Sequence, residues 1–385
     1  MTRILQIHAR YREAGGEDVV ADSEAELLTA LGHEVTRLRL QNADSGARAA
    51  AQLAAYVGAP FPARPILRAA KLAESDIVHF HNTWFAVPPI VFRGLKRLGI
   101  RTVATIHNYR LMCANALLLR NGTPCELCVG SDPFPGFRFR CYHQSYLGSA
   151  AAVAGIQMHR WRGSWRRHID QFIAPTDFVR ERLVATGLPA DRIAVHRNSV
   201  PDPGRRPRRP SESRRVVYVG RLSEEKGVAR AVDAWEHMAP KDMELVIAGD
   251  GPQRAELIRK AGRSVRFLGQ LTRSQVTELL LDSRALLVPS MWYETGGPLV
   301  VLEAFSAGVP VLGSGLGGLL ETLAPLGAGW TVARPTINSW AAAIERLTDD
   351  SLIDRGGQIA RRAFETRHSY PVAQQGLSEI YRLLR

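Results

Sequence analysis

With 385 residues the chain is long enough for two domains of ordinary size, and its 45% hydrophobic content suffices for two packed cores. No run of about eighteen apolar residues occurs, and the opening MTRILQIHARYREAGGED reads as strand, loop and helix, so neither a membrane span nor a leader is expected and a cytoplasmic location is. The net charge of +13 and a pI near 10.1 call for an anionic partner: nucleotide, membrane surface or nucleic acid.

From the N-terminus, strand-like runs alternate with helical patterns: residues 4–9, a helix over 17–31, then strands over 34–40, 76–81, 101–107, 171–176 and 193–198. The second half repeats the alternation, with strands over 215–220, 244–249, 265–269, 285–290 and 309–314. Such a pattern predicts an α/β protein of two doubly wound, Rossmann-like domains with parallel sheets covered on both faces. Residues 1–200 form the first domain, the proline- and arginine-rich segment 201–214 (PDPGRRPRRPSESR) a linker, and 215–368 the second.

In the first domain, Gly15-Gly16 follows the first strand and leaves room for close backbone approach, with Arg10 and Arg12 flanking it. His79 and His81 end one strand and His107-Asn108 another, where a parallel sheet presents ligand-facing groups, although His79 reads equally as a core residue. Four cysteines follow within an insert over about 109–146, spaced Cys113-x11-Cys125-x2-Cys128-x12-Cys141. A Cys-x-x-Cys knuckle joined by two more cysteines fits a structural zinc site, and free, packed thiols are the other reading. A helix over 149–167 then ends in HRWRGSWRRH, placing Trp161 and Trp165 four apart among arginines. That suits the headgroup region of an anionic membrane, or equally a tryptophan pair in the core with a basic rim. No nucleic-acid-binding module accompanies the charge, and nucleic acid is not an expected partner.

The second domain opens with VVYVGRLSEEKG, a strand running through Gly220 into a turn that carries Arg221 and Lys226. LVIAGDGPQRAEL places Gly249 and Gly251 in the turn after the next strand. Residues 284–310, RALLVPSMWYETGGPLVVLEAFSAGVP, read as a buried strand, a loop with Glu294, Thr295, Gly296 and Gly297, and a helix opened by Pro298 and Leu299 that carries Glu303. The free amides and the dipole of that helix favour a diphosphate, and Glu303 can accept two ribose hydroxyls.

This combination resembles the glutamate-pair motif of retaining glycosyltransferases of family four, which have the GT-B fold, although eight residues separate Glu294 from Glu303, one more than is usual there. The resemblance extends over nearly the whole chain. It implies two domains facing a cleft, a C-terminal helix over 369–385 returning to the first domain, and transfer of a sugar from a nucleotide-diphosphate donor to a hydroxyl. It also assigns roles. His107, Arg221, Lys226 and Glu294 would be catalytic. Gly16, Gly220, Gly249, Gly251, Thr295, Gly296, Gly297, Pro298, Leu299 and Glu303 would bind the donor, and Arg10, His81 and Asn108 would lie on the acceptor side. None of the sixteen aspartates forms an Asp-x-Asp pair, so no catalytic metal is expected, and Arg221, Lys226 and helix amides would neutralise the leaving diphosphate. The expected acceptor is a lipid-linked molecule or a saccharide in cell-surface polysaccharide synthesis, reached from the inner face of the membrane. A sugar-nucleotide 2-epimerase and a non-catalytic anion-binding protein are the alternatives.

Overall fold

Short apolar runs separated by amphipathic helices produce two six-stranded parallel sheets, each in its own compact unit, in a computed structural model that describes residues 1–10, 15–42, 51–52, 54, 56, 63–324, 327–334 and 336–384. The first unit comprises residues 1–118, 125–197 and 373–385. Its strands are β1 (Arg3–Arg10), β2 (Glu34–Gln41), β3 (Ile77–Phe80) and β4 (Arg101–Thr105), then β7 (Gln171–Ala174) and β8 (Ile193–Val195). A small antiparallel hairpin, β5 (Leu119–Arg120) and β6 (Thr123–Pro124), intervenes in sequence. The order β2-β1-β3-β4-β7-β8 is parallel throughout and reverses between β1 and β3. Ile7, Val78, Phe80, Val103 and Phe172 are fully buried, as a sheet covered by helices on both faces requires.

The second unit, residues 119–124 and 198–372, carries β9 (Arg215–Val219), β10 (Glu244–Ala248), β11 (Val265–Gly269), β12 (Ala285–Val288), β13 (Val311–Ser314) and β14 (Gly329–Val332). Its order, β11-β10-β9-β12-β13-β14, reverses between β9 and β12, the switch point at which open α/β sheets bind ligands. One face packs Val217, Val246 and Leu286 against Phe305 and Phe364. The other packs Leu245 and Leu287 against Trp235 and Trp340.

The strands stop short of several expected boundaries. β4 ends at Thr105 rather than at residue 107, and β9 at Val219, because the residues beyond leave the ladder and turn off the sheet's carboxyl edge. The segment 198–214 belongs to the second unit. There Arg206 donates to the carbonyls of Gly308 and Ser283 at 3.2 and 3.0 Å, and the buried Arg284 donates to Ser211 O at 2.8 Å. Matched guanidinium donors thus bind the proline-rich backbone that cannot form a ladder of its own. The last helix, Tyr370–Arg382, runs into the first unit from Ala373, with Leu377, Ile380 and Tyr381 buried.

The helix expected over 149–167 spans Tyr146–Arg162. Gly163, in the left-handed conformation at φ 61°, ends it. Trp161 and Trp165 therefore do not share a helix face: Trp161 is 81% exposed, while Trp165 is buried beside the His159 ring.

Candidate functional site

In the second unit the loops after β9 and β12 converge. Lys226 Nζ lies 2.7 Å from Glu294 Oε1, and the same oxygen accepts from Ser290 Oγ at 2.7 Å and from Trp292 Nε1 at 3.0 Å. Three donors thus meet one oxygen of a carboxylate with 5% exposure, so its burial is compensated by hydrogen bonds. The Lys226 ammonium also stands 5.3 Å above the Trp292 ring. Arg221 is exposed two residues past the end of β9, and its carbonyl accepts from the Tyr218 hydroxyl at 2.7 Å.

Two glycines of the turn after β10 are fixed by crowding. At Gly249, φ is +143° and a Cβ would lie 1.9 Å from Gly220 O; at Gly251, φ is +156° and a Cβ would lie 2.5 Å from Leu222 O. Gly220, Gly249 and Gly251 thus hold the turns after β9 and β10 in backbone contact. The helix after β12 is Leu299–Ser306 with Pro298 as its N-cap, one residue later than the sequence suggests, since Pro298 keeps an extended ψ of 139°. Thr295, Gly296 and Gly297 lead into it. Glu303, half-buried on this helix, has Arg273 Nε at 3.9 Å, and burial pushes its carboxyl above the usual range against the pull of Arg273. Arg221, Lys226, Glu294 and Glu303 all stand on elements that follow β9 or β12, the pair flanking the switch point.

In the first unit, Gly15 is the N-cap of the helix Gly16–Ala30, and its amide donates to the Asp18 carboxylate at 2.9 Å. Asp18 also meets His8 Nε2 at 3.0 Å and Arg10 Nε at 3.6 Å, so Arg10 is tied to the helix start. Arg12 lies outside the described residues. His81, His107 and Asn108 line one pocket, walled also by Tyr56, Trp84 and Arg110. The Arg110 guanidinium covers the Trp84 ring at 4.4 Å. Asn108 Nδ2 donates to Glu17 Oε1 at 2.9 Å, and burial pushes the Glu17 carboxyl up to about 7.

Beneath that pocket, Glu24, His79 and His81 bring three potential ligand atoms within 4.8 Å of one another. Two of them already face hydrogen-bond partners: His79 Nε2 meets Thr105 Oγ1 at 2.8 Å and His81 Nε2 meets the Gln6 amide nitrogen at 3.1 Å. A hydrogen-bond network accounts for this cluster better than a cation does. Asp18, Glu17 and Glu24 went unnoticed in the sequence. The stripe Val20, Glu24, Leu27, Leu28 was the available signal, because an acid at a core-facing helical position needs a reason.

None of the four cysteines is in a disulfide among the described residues. Burial raises the Cys113 thiol and pushes Cys128 up to about 11, with Cys113, Cys141 and Cys125 adding to the Cys128 rise. The hairpin β5–β6 turns at Asn121-Gly122, both at positive φ, just ahead of Cys125 and Cys128. No three of the sulfurs lie within 4.8 Å of one another: Cys113 Sγ donates to Asn115 Oδ1 at 2.9 Å, and Cys128 Sγ to Pro133 O at 3.8 Å.

Residues 204–365 match the family of glycosyl transferases group 1, and residues 14–202 match glycosyltransferase family 4. The chain belongs to these family-four glycosyltransferases, and its fold is the GT-B arrangement of two Rossmann-like domains. It is 34% identical to a glycogen synthase of Mycobacterium tuberculosis over 251 residues, 61% of this chain and 59% of that protein. The chain thus spans well under two thirds of that curated relative's length. Among solved structures it resembles the Anabaena protein Alr3699/HepE in complex with UDP and glucose, with a TM-score of 0.67 and 17% identity, over 99% of this chain and 100% of that one. It also resembles sucrose-phosphate synthase from Thermosynechococcus elongatus, with a TM-score of 0.71 and 18% identity, over 100% and 99% of the two chains.

Proposed function

We propose that this protein transfers a sugar from a nucleotide-diphosphate donor to a hydroxyl of a lipid-linked or saccharide acceptor, with retention at the anomeric carbon. The observation that carries this is the 2.7 Å pairing of Lys226 with Glu294 on the two loops that flank the switch point of the second sheet. Lys226 and Arg221 offer positive charge where a departing diphosphate gathers negative charge, which is stabilisation that grows toward the transition state. Glu303 offers a carboxylate to the ribose hydroxyls, and Glu294 offers its second oxygen to the sugar. The UDP and glucose held by the Anabaena protein support a nucleotide-sugar donor. For His107, in the first unit, we propose a role at the transferred sugar, supported by its place after the carboxyl end of β4 and in the wall of the first unit's pocket.

The acceptor side supports a membrane-borne substrate. Among the described residues no helix is long and apolar enough to cross a membrane. Trp161, Leu147, Tyr146 and Phe139 are exposed around the helix Tyr146–Arg162, and Arg162, Arg166 and Arg167 lie at its end. Such a face suits the headgroups of an anionic surface on the cytoplasmic side. For the cysteine-rich insert we propose a structural zinc, supported by the Cys-x-x-Cys spacing after a tight hairpin. It requires the four thiols to close by rotation, and metal analysis of the purified protein tests it.

The test of the transferase reading is incubation with labelled UDP-, GDP- and ADP-sugars, with and without lipid-linked and oligosaccharide acceptors. Nucleotide release that depends on an acceptor, with product anomeric configuration equal to the donor's, supports transfer with retention. Conversion of a donor without acceptor points to an epimerase, and no turnover with any pair contradicts the proposal.

A further inference from the structure

A cavity of about 720 Å³ lies wholly within the second unit, walled by the proline-rich segment, the helix Asp350–Arg367 and the end of the helix Leu299–Ser306. None of Arg221, Lys226, Glu294 and Glu303 lines it. Its volume is that of a site for a small molecule, which runs to roughly 300–1,000 Å³. The arginines Arg205, Arg206, Arg208, Arg209, Arg361 and Arg362 line it, with Glu212, Asp354 and Glu365 as the acids among the same residues.

Hydrogen bonds and close packing fix the frame. Arg206 donates to the carbonyl of Arg208 and to those of Gly308 and Ser283 at 3.2 and 3.0 Å. Ser211 N and Oγ donate to the Asp354 carboxylate at 3.1 and 2.9 Å. Pro210 is buried against Gly357, where a Cβ would lie 2.8 Å from Pro210 Cγ and 2.6 Å from Gly308 O. Arg361 donates its two terminal nitrogens to Asp202 at 2.7 and 2.6 Å, and its Nε to Glu365 at 2.8 Å. Its Nη1 also reaches Ser306 O at 2.6 Å, so Arg361 and Arg206 together satisfy carbonyls at the end of the helix Leu299–Ser306.

The fold therefore accounts for two of the arginines and for the acids: Glu365 is held by Arg361, while Glu212 and Asp354 act on Arg206 together with Asp282. Arg205, Arg208, Arg209 and Arg362 are exposed and form no ion pair among the described residues. Arginines on a convex surface spread apart into water, whereas these four border one concavity, where like charges repel until an anion enters. Their planar forks match phosphate oxygens two at a time. A frame already ordered by its own hydrogen bonds lowers the cost of binding.

We propose that this cavity binds a soluble small molecule carrying at least two phosphate groups, gripped by Arg205, Arg208, Arg209 and Arg362. The site is separate from the donor site proposed at the β9/β12 switch point and does not depend on the transferase reading.

The experiment is isothermal titration calorimetry of the full-length protein with orthophosphate, pyrophosphate and tripolyphosphate at constant ionic strength, beside flotation with phosphatidylglycerol vesicles. Saturable binding of pyrophosphate or tripolyphosphate, tighter than that of orthophosphate, is expected. Arg362→Ala and the double variant Arg208→Ala, Arg209→Ala are each expected to weaken it about tenfold or more, as loss of charge-assisted hydrogen bonds does. Arg263→Ala removes an equal charge from an exposed residue that does not line the cavity, and it is expected to leave binding nearly unchanged. The double variant Arg221→Ala, Lys226→Ala, which disables the proposed donor site, is expected to keep it. Should the proline-segment variant fail to fold, Arg362→Ala decides alone. No binding overturns the proposal, as does equal weakening by Arg263→Ala, which marks a diffuse charge effect. Binding that vanishes with Arg221 and Lys226 assigns it to the donor site and overturns the proposal too. Attachment to vesicles without affinity for any soluble phosphate would replace it with a membrane surface.

Discussion

Glu294 Oε1 holds Lys226 Nζ at 2.7 Å while accepting from Ser290 and Trp292, so the cation and the carboxylate are placed by one shared oxygen. In the proposed mechanism Lys226 supplies a charge whose value is largest at the transition state. Lys226→Ala and Arg221→Ala are each expected to lower kcat by on the order of a hundredfold or more with the fold intact. Steady-state kinetics beside circular dichroism check this, and near-normal turnover in both variants would remove the proposed role.

Glu294→Gln keeps the shape but cannot balance the Lys226 ammonium. It is expected to lower kcat/KM and also to cost stability, because a nearly buried carboxylate leaves its three donors less well matched. Chemical denaturation of this variant against wild type measures the second effect, for which roughly 1–3 kcal/mol is expected.

Gly249→Ala tests the turn after β10. The added methyl would meet Gly220 O at a backbone angle that L side chains rarely adopt, so the turn must shift. A loss of at least about 1–3 kcal/mol is expected from the backbone conformation alone, read as a lower midpoint in denaturant and weaker nucleotide binding. A variant as stable as wild type would contradict the geometry.

The buried acids and imidazoles of the first unit set opposite pH slopes. Glu24 is raised from 4.5 to about 8 in the folded chain, so its contribution is full below 4.5 and is lost as pH rises through about 8. His79 is lowered from 6.5 to about 3, so its contribution is full above 6.5 and is lost as pH falls toward 3. Glu24→Gln is therefore expected to gain on wild type by on the order of a few kcal/mol between about pH 5 and about pH 9. Urea denaturation at the two values checks it, and a constant difference would mean that Glu24 ionises as in water.

Much of the second unit was legible in the sequence. The alternation of strands and helices, the cations after β9, the glycine turn after β10 and the two glutamates after β12 are local features, and local rules place them. The misses come from longer-range causes. β14 escaped because Gly329–Val332 is too short to show a period and is recognised only by pairing with β13. The tryptophan pair was misphased because Gly163, visible in the sequence, ends the helix before Trp165. The helical stripe marks Glu24 as core-facing, but its surroundings exist only once β3 pairs with β1 and Tyr381 arrives from the far end of the chain to hydrogen-bond His79.

The most direct test of a nucleotide-diphosphate donor at the β9/β12 switch point is a thermal-shift panel of UDP, GDP, ADP and CMP, with and without attached sugars, on wild type and Glu303→Ala. A ligand at about a hundred times its Kd stabilises by about 2.7 kcal/mol, well within reach of the method. Stabilisation by one nucleoside diphosphate series, lost in Glu303→Ala, is the predicted result. A well-folded protein that responds to none of them, or that responds equally with Glu303 removed, would contradict the assignment.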